Sequence, residues 1–468
     1  MLYRHTSASV PMTSVQTTDL ASSFLFIPTS TSSSHEEKQD ESSALITTSG
    51  YLRFSAFIYS LTNITSLAIP YILKDTLLLS PSQLGLFSAV CATPSFLTPL
   101  YSFVIPRTRR SVALVLCSSI QATAFITIGT AVIHGSTSVP LVLGCLLTHS
   151  AASSIGMYIR DSMTIELVAE TNRSTSEHAA HSIYAELSMI SRVGLVPVAY
   201  LSGYLLSFVS PAQIILAASG FPAVIAFSAC LLDTQPVHQG DTRDEWKLAV
   251  SAIQDSKSGL MSTVTGRSLF LSVIPSYTDA MFFYYTDYLG FDAEFMGKFQ
   301  FLGAIAGIVA SALSKATMKY VNPRKVANVC QWISIPLFSS VIMVTQYPQM
   351  PYIGAFVLVR HFFVDFINSL TSLPAAMELM QSAPAGAEGT YLALVGTIGN
   401  VGGALNSVVS SVTMSFLGIS ATNYENLTAL VTLTNGLTAI TTPVVLFRDT
   451  KPTKEVEEIE ESVNQRGA

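Results

Sequence analysis

The chain has 468 residues, of which 49% are hydrophobic and only 12% charged, with a mean hydropathy of +0.47. Soluble chains carry about a quarter charged residues, so the composition excludes an ordinary soluble domain. It points to a polytopic membrane protein, and the net charge of −6 is too small for this length to suggest nucleic-acid binding.

Residues 1–48 are rich in Ser and Thr, carry the acidic patch HEEKQDESS and read as a disordered cytosolic tail. Their one apolar patch, SSFLFIP, is too short for a cleavable signal peptide and lacks its basic flank. About twelve apolar runs follow, each near the ~20 residues that cross a bilayer. The first six cover about 51–73, 83–104, 111–133, 140–166, 180–208 and 213–232. The polar stretch DTQPVHQGDTRDEWKLAVSAIQDSKSG then reads as a cytosolic loop, residues 234–264, between halves at 49–233 and 265–447. The last six runs cover about 268–289, 295–316, 326–345, 352–380, 387–417 and 427–447, and residues 448–468 form an acidic cytosolic tail.

Basic residues set the orientation. Arg107, Arg109 and Arg110 follow the second run, Lys315, Lys319, Arg324 and Lys325 follow the eighth, and Arg243, Lys247 and Lys257 lie in the central loop. All fall on one side if the runs alternate, which makes both termini cytosolic; Lys74 is the exception on the other side. Of the glycosylation-type triplets, Asn63 lies within a span and Asn172 on the cytosolic side, so neither is expected to be modified, and Asn426, near the outer end of the last span, is at best a weak candidate. The five cysteines sit in apolar runs without a CxxC spacing and read as small buried hydrophobes, not as metal ligands. Six spans, a polar loop and six more resemble the outline of the major facilitator architecture: an all-α membrane fold of two six-helix halves.

Ionisable residues inside spans cost roughly 2.5–3.5 kcal/mol each at the bilayer centre, so their faces are informative. In the fourth span, Ser150, Ser154, Asp161 and Thr164 share a face, with Arg160 about 100° away. Glu166 lies near the cytosolic end, where a plain interfacial role is equally open. In the fifth span, Glu186 and Arg192 point to different neighbours. In the seventh, Asp279 is well inside, on a face shared with Ser276, Phe283 and Thr286, whereas Asp287 lies near the outer end and is expected to be solvated. The run Phe283, Tyr284 and Tyr285 reads as packing or as a stacking platform for a flat ligand. Lys298 opens the eighth span and is expected to snorkel.

The tenth span lays His361, Asp365, Asn368 and Ser372 along one line, close enough for His361 and Asp365 to share a proton, while Arg360 points elsewhere. An ion-pair lock between helices and a polar pathway both remain open for these groups. In the eleventh span, Pro384 and Gly386 end the preceding helix and place Glu388 in a first turn, where a carboxylate complements the helix dipole. Gly396, Gly399 and Gly403 are expected to line a close helix contact, with Asn400 among them in need of a partner.

Taken together, these motifs resemble the folate–biopterin transporter family, a branch of the major facilitator superfamily. The resemblance rests on LKDTLLLSPSQ, PLYSF, RDSMTIELVAE, SRVG, FFYYTDYLGFDAEFMG and PAGAEGTYLAL followed by GN. Lys74, Asp75, Asp161, Glu166, Arg192, Asp365, Glu388 and Asn400 match charged or polar positions that recur in that family. Departures are Thr98 in place of a common lysine, Ser102 for a glycine, Met157 for an aspartate, and a missing aspartate in VIPRTRR. The resemblance implies alternating-access transport of a pterin or folate, coupled to protons. No cofactor or metal is expected, and a monomer in the lipid bilayer is, with the plasma membrane favoured over an organelle. Two alternatives stay open: a carrier for another small organic solute, and a non-transporting membrane sensor. No nucleotide loop, metal cluster or nucleophile triad suggests an enzyme.

Overall fold

A proline at the first helical position and a glutamine two residues on, both behind a serine, open two of the helices. Ser80 and Ser210 each accept from the backbone N–H of the glutamine three residues on, and Gln83 and Gln213 reach back to the serine N–H. These capping boxes begin the helices at Pro81 and Pro211, two residues earlier than the apolar periodicity places them. The computed structural model describes residues 47–104, 109–174, 177–232, 246–251, 274–317, 323–381 and 387–448. Both expected tails and most of the central loop lie outside the described residues. Within that loop, residues 246–251 are helical.

The first half comprises α1 (Thr48–Thr76), α2 (Pro81–Tyr101), α3 (Arg110–Ile133), α4 (Val139–Ser174), α5 (Glu177–Leu206) and α6 (Pro211–Cys230). In the second half, α7 (Thr278–Phe283) continues into a π-helical turn, Tyr284–Tyr288. Next come α8 (Ala293–Thr317) and α9 (Pro323–Ser339, resumed after a break by Val341–Gln346). The last three are α10 (Ile353–Gln381), α11 (Glu388–Phe416) and α12 (Leu427–Arg448). Among the described residues, ten helices are long and apolar enough to cross a membrane, and α7 and α12 occupy the two remaining places. We call the bundle end that carries the turns after α1, α3, α5, α7, α9 and α11 the distal end, and the opposite one the terminal end.

The halves repeat one another in fine detail. Lys74 and Thr286 are 212 positions apart, and the π turns Ile72–Thr76 and Tyr284–Tyr288 have that same separation. In one, Leu77 N–H donates to the Ile72 carbonyl at 3.0 Å; in the other, Leu289 N–H donates to Tyr284 at 2.9 Å. The following residues, Leu78 and Gly290, both have positive φ, 53° and 69°. The starts of α2 and α8, the glycines Gly85 and Gly297, and the histidines His149 and His361 keep the register.

Glycines on one helix let the other half approach. A Cβ on Gly203 of α5 would collide with the backbone of Ala293 and Gly297 in α8. Nearby, Gln300 Oε1 accepts from Ser66 of α1 at 2.9 Å and Ser202 of α5 at 3.3 Å. In the symmetry-related crossing, Gly85 of α2 packs on Ser407 and Ser411 of α11, and Ser411 Oγ donates to the Ser82 carbonyl at 2.5 Å. The expected close contact at Gly396 and Gly399 is not found: a Cβ on either would meet nothing within 4 Å. The physical reason is that α2 supplies the glycine for this crossing, so α11 can meet it with serines.

Core packing differs between the two ends. At the distal end, Phe283 of α7 is buried in a cluster made of first-half residues such as Ile72, Phe87, Phe125 and Ile215. Reciprocally, Leu67 of α1 is buried among Met281, Val344, Met414 and Leu430. Toward the terminal end, one cluster (Tyr51, Leu114, Ile159, Ala229) belongs wholly to the first half and another (Ala310, Cys330, Ile367, Leu370) wholly to the second. Among the described residues, the apolar clusters at the distal end join the halves, whereas the two named toward the terminal end each stay within one half.

Candidate functional site

The distal junction is closed by charge as well as packing. Lys74 Nζ donates to Thr286 Oγ1 at 2.8 Å and pairs with Asp287, with Asp75 3.7 Å away. The lysine side chain is 11% exposed, so its ammonium is largely out of solvent. Asp287, expected to be solvated, is instead the carboxylate of this clasp. Lys298, expected to snorkel, pairs with Glu294 at 2.8 Å one turn back on α8.

Toward the terminal end, three helices turn polar positions into open space on faces that point inward. On α11, Leu405, Val408, Val412 and Phe416 form one exposed apolar stripe, the side suited to lipid. At about 100° per residue, Gly396 and Asn400 lie on the other side, above the buried Ser407, Ser410 and Met414. That inward face is packed distally, yet Gly396 is exposed and Asn400 half-buried. On α10, Val359 and Phe363 mark the exposed apolar side, and His361, Asp365 and Asn368 the opposite one. Asp365 is 33% exposed and Asn368 is exposed. On α4, Ser154 bonds Ser95 of α2 at 2.8 Å, and Asp161, two turns onward on that face, is exposed. α4 and α11 pack against each other across the halves. These positions lie on the inward faces of α4, α10 and α11, on the terminal side of the distal seal.

Around them, the other sequence-predicted residues take distinct places. His361 Nε2 lies 3.3 Å from Asp365 Oδ2, and its ring stacks on Phe299 of α8 with centroids 3.4 Å apart. Both groups stand over Gly303 of α8, where a Cβ would collide with the Asp365 carboxylate. One turn along, the Arg192 guanidinium of α5 stands over Gly307 in the same way. Arg160 lies against the ring face of Tyr59 in α1, 4.1 Å from its centroid, and Tyr59 in turn bonds Ser153 at 2.5 Å. Arg360 is buried and donates to neutral oxygens: Ser340 Oγ at 3.1 Å and the Phe338 carbonyl at 3.3 Å, both at the break in α9.

Asp279 is 2% exposed, in the first turn of α7, with its carboxylate on Gly85 of α2. Just before it the chain is not helical. Asn406 donates to the Ile274 carbonyl at 2.5 Å, Thr434 to the Pro275 carbonyl at 2.9 Å, and the Ser276 N–H to Ser410 at 2.6 Å. Broken backbone at membrane depth needs such side-chain partners. Phe283, Tyr284 and Tyr285 are at most 5% exposed and are packed within the distal seal. α11 begins at Glu388, but the side chains of Glu388 and Glu166 lie outside the described residues. Among the described residues no group of His, Cys, Asp or Glu is arranged to hold a metal ion. Cys91, Cys117 and Cys330 are buried, whereas Cys230 is exposed, against the expectation.

Sequence reasoning missed the Lys74–Asp287 clasp, Gln300, Tyr59, and the glycine seats at 303 and 307. The clasp had a signal: KDTL and TDYL recur at one separation, and such repeats face each other across the axis between halves.

Comparison with known proteins bears on what this architecture is for. The sequence profile of the BT1 family matches residues 61–467. The chain belongs to the BT1 family. This BT1 chain is 26% identical over 401 residues to a folate-biopterin transporter of Synechocystis sp., covering 83% of this chain and 78% of that one. It is 27% identical over 386 residues to folate transporter 2 of Plasmodium falciparum, covering 79% and 81%. In fold it is similar to the nucleoside transporter NupG, with a TM-score of 0.65 at 11% identity, over 86% of this chain and 100% of that one. The BT1 chain is thus a multi-pass membrane transporter of the major facilitator fold, not an enzyme.

Proposed function

We propose that this protein carries a pterin or folate across its membrane by alternating access, driven by protons. The observation that carries this reading is the junction between the halves: closed distally by the Lys74–Asp287 clasp, with the polar groups Asp161, Asp365, Asn368 and Asn400 on inward helix faces terminal to it. A carrier needs a polar site near the midplane and one closed mouth at a time. The half-exposed Asp365 beside His361 supplies a proton acceptor there. Pterin or folate as cargo follows from the names of the relatives, and the amide and carboxylate groups on the inward helix faces are chemically compatible with a heterocycle bearing amide-like edges.

In this reading the terminal end is cytosolic, as the Lys and Arg residues near it favour, the carrier works as a monomer, and the plasma membrane is its site. The test is uptake of radiolabelled folate and biopterin into proteoliposomes, with and without an inward proton gradient, in competition with nucleosides and sugars. Accumulation of a pterin above equilibrium only with the gradient is the expected result. Accumulation of a sugar or nucleoside in preference to both pterins would overturn the cargo, and binding without accumulation would overturn transport.

A further inference from the structure

Arg160 of α4 is a cation within a membrane span whose charge is met by an aromatic ring and not by an ion pair. Its guanidinium lies over Tyr59 of α1, 4.1 Å from the ring centroid. Among the described residues it makes no ion pair and no side-chain hydrogen bond. Asp161, the next residue, feels its charge but is turned about 100° away and does not pair with it. A guanidinium attracted through a ring face keeps its five N–H donors. That fork matches a carboxylate through two parallel hydrogen bonds.

The place is fixed from both sides. Ser153, seven positions before Arg160 and so on the same side of α4, bonds the Tyr59 hydroxyl at 2.5 Å and holds the ring. Ser154 bonds Ser95 of α2 at 2.8 Å. The sector of α4 between these two contacts has Arg160 at its α1 edge and Asp161 at its α2 edge, and Tyr59 and Arg160 are both partly exposed. A second polar group here lacks a partner. Tyr51 of α1 is fully buried, its hydroxyl makes no hydrogen bond among the described residues, and the Arg160 charge reaches it.

We propose that Arg160 is the specificity-determining residue that receives a carboxylate of the cargo, so that this carrier prefers a pterin with an acidic tail, folate, to an uncharged one such as biopterin. The proposal rests on the pterin or folate reading above. A cation within a span without an anion is costly, and such charges pair or mark a substrate pathway. A folate carboxylate supplies the missing anion, and biopterin has none to give. Tyr59 is the positioning residue: its ring holds the guanidinium without consuming the N–H groups that the carboxylate needs. Two other cations within the spans are engaged, Arg360 with Ser340 and the Phe338 carbonyl, and Lys74 with Asp287 and Thr286.

The experiment measures uptake of labelled folate and of labelled biopterin by proteoliposomes of the full chain, and takes specificity as the ratio of the two kcat/KM values. Arg160→Gln should lower the folate-to-biopterin ratio at least tenfold, mainly through the folate KM. Arg160→Lys keeps the charge without the fork and should recover part of that loss. Tyr59→Leu, which removes the ring, should lower the ratio, and Tyr59→Phe, which keeps it, should stay closer to the parent. An unchanged ratio in Arg160→Gln overturns the proposal, and so does an equal loss of both substrates, which would make Arg160 a packing residue. A parent that takes up biopterin in preference to folate overturns it while leaving pterin transport intact. A parent that accumulates neither overturns the cargo reading, and this proposal with it.

Discussion

Lys74 donates its hydrogen bond to Thr286, the residue that occupies its own place in the second half. A clasp between repeat-equivalent positions lies where the two halves meet, so it holds with little leverage on either half until they part. Its partners differ in kind, since one half supplies the ammonium and the other a hydroxyl and the carboxylate of Asp287.

Removing that ammonium should favour the state open at the distal end. Lys74→Gln is expected to destabilise the seal by about 1–2 kcal/mol, below the cost of breaking a fully buried pair because Asp287 is partly exposed. That is roughly a 5–30-fold change in the ratio of states. Thiol labelling of a cysteine placed at Thr286, with and without Lys74→Gln, measures it; unchanged labelling rates would assign the seal to apolar packing alone.

Asp365→Asn should leave a folded, monodisperse protein and remove proton-driven accumulation, while pterin exchange across the membrane continues. Full accumulation by this variant, measured under the same gradient, would move the coupling role to Asp161 or Asp279.

Gly203→Val should prevent assembly of the two halves. The atoms that a side chain would strike are backbone atoms of Ala293 and Gly297, which cannot turn aside. The expected cost exceeds the 1–3 kcal/mol typical of overpacking, and the readout is yield of monodisperse protein after solubilisation. Gly396→Ala, with open space around it, should express normally.

Leu78 holds a left-handed backbone that its repeat partner meets with glycine. A non-glycine residue there costs roughly 1–2 kcal/mol, and glycine returns part of that as chain entropy. Leu78→Gly, at a position 80% exposed, should therefore raise the unfolding temperature slightly in detergent, and Gly290→Leu should lower it by more. Opposite signs would mean that the exposed Leu78 side chain is anchored by lipid.

Helix order and most approximate bounds were legible because hydrophobic periodicity over ~20 residues is a strong local signal; the seventh span, expected from about 268, becomes helical only at Thr278 among the described residues. The α10 line of His361 and Asp365 was legible for the same reason: four- and seven-residue spacings fix a face. What escaped were relations between distant segments. Nothing near Asp287 says that Lys74 will meet it, and nothing near Gly303 says that a carboxylate from α10 will stand there. The α11 glycines misled because a small residue permits close approach without requiring it, and here the permission was taken up on α2 and α8. The breaks in α7 and α9 escaped too, since the side chains that satisfy them, Asn406, Thr434 and Arg360, come from later helices.

The clasp also sets the charge of the mouth it closes. Asp75 and Asp287 outnumber the single ammonium between them, and Asp292 caps the adjoining helix. Among these described groups the closed mouth thus carries more carboxylate than ammonium. Separating the halves would leave Asp287 on one rim and Lys74 with Asp75 on the other, so the two sides of the open mouth would differ in charge.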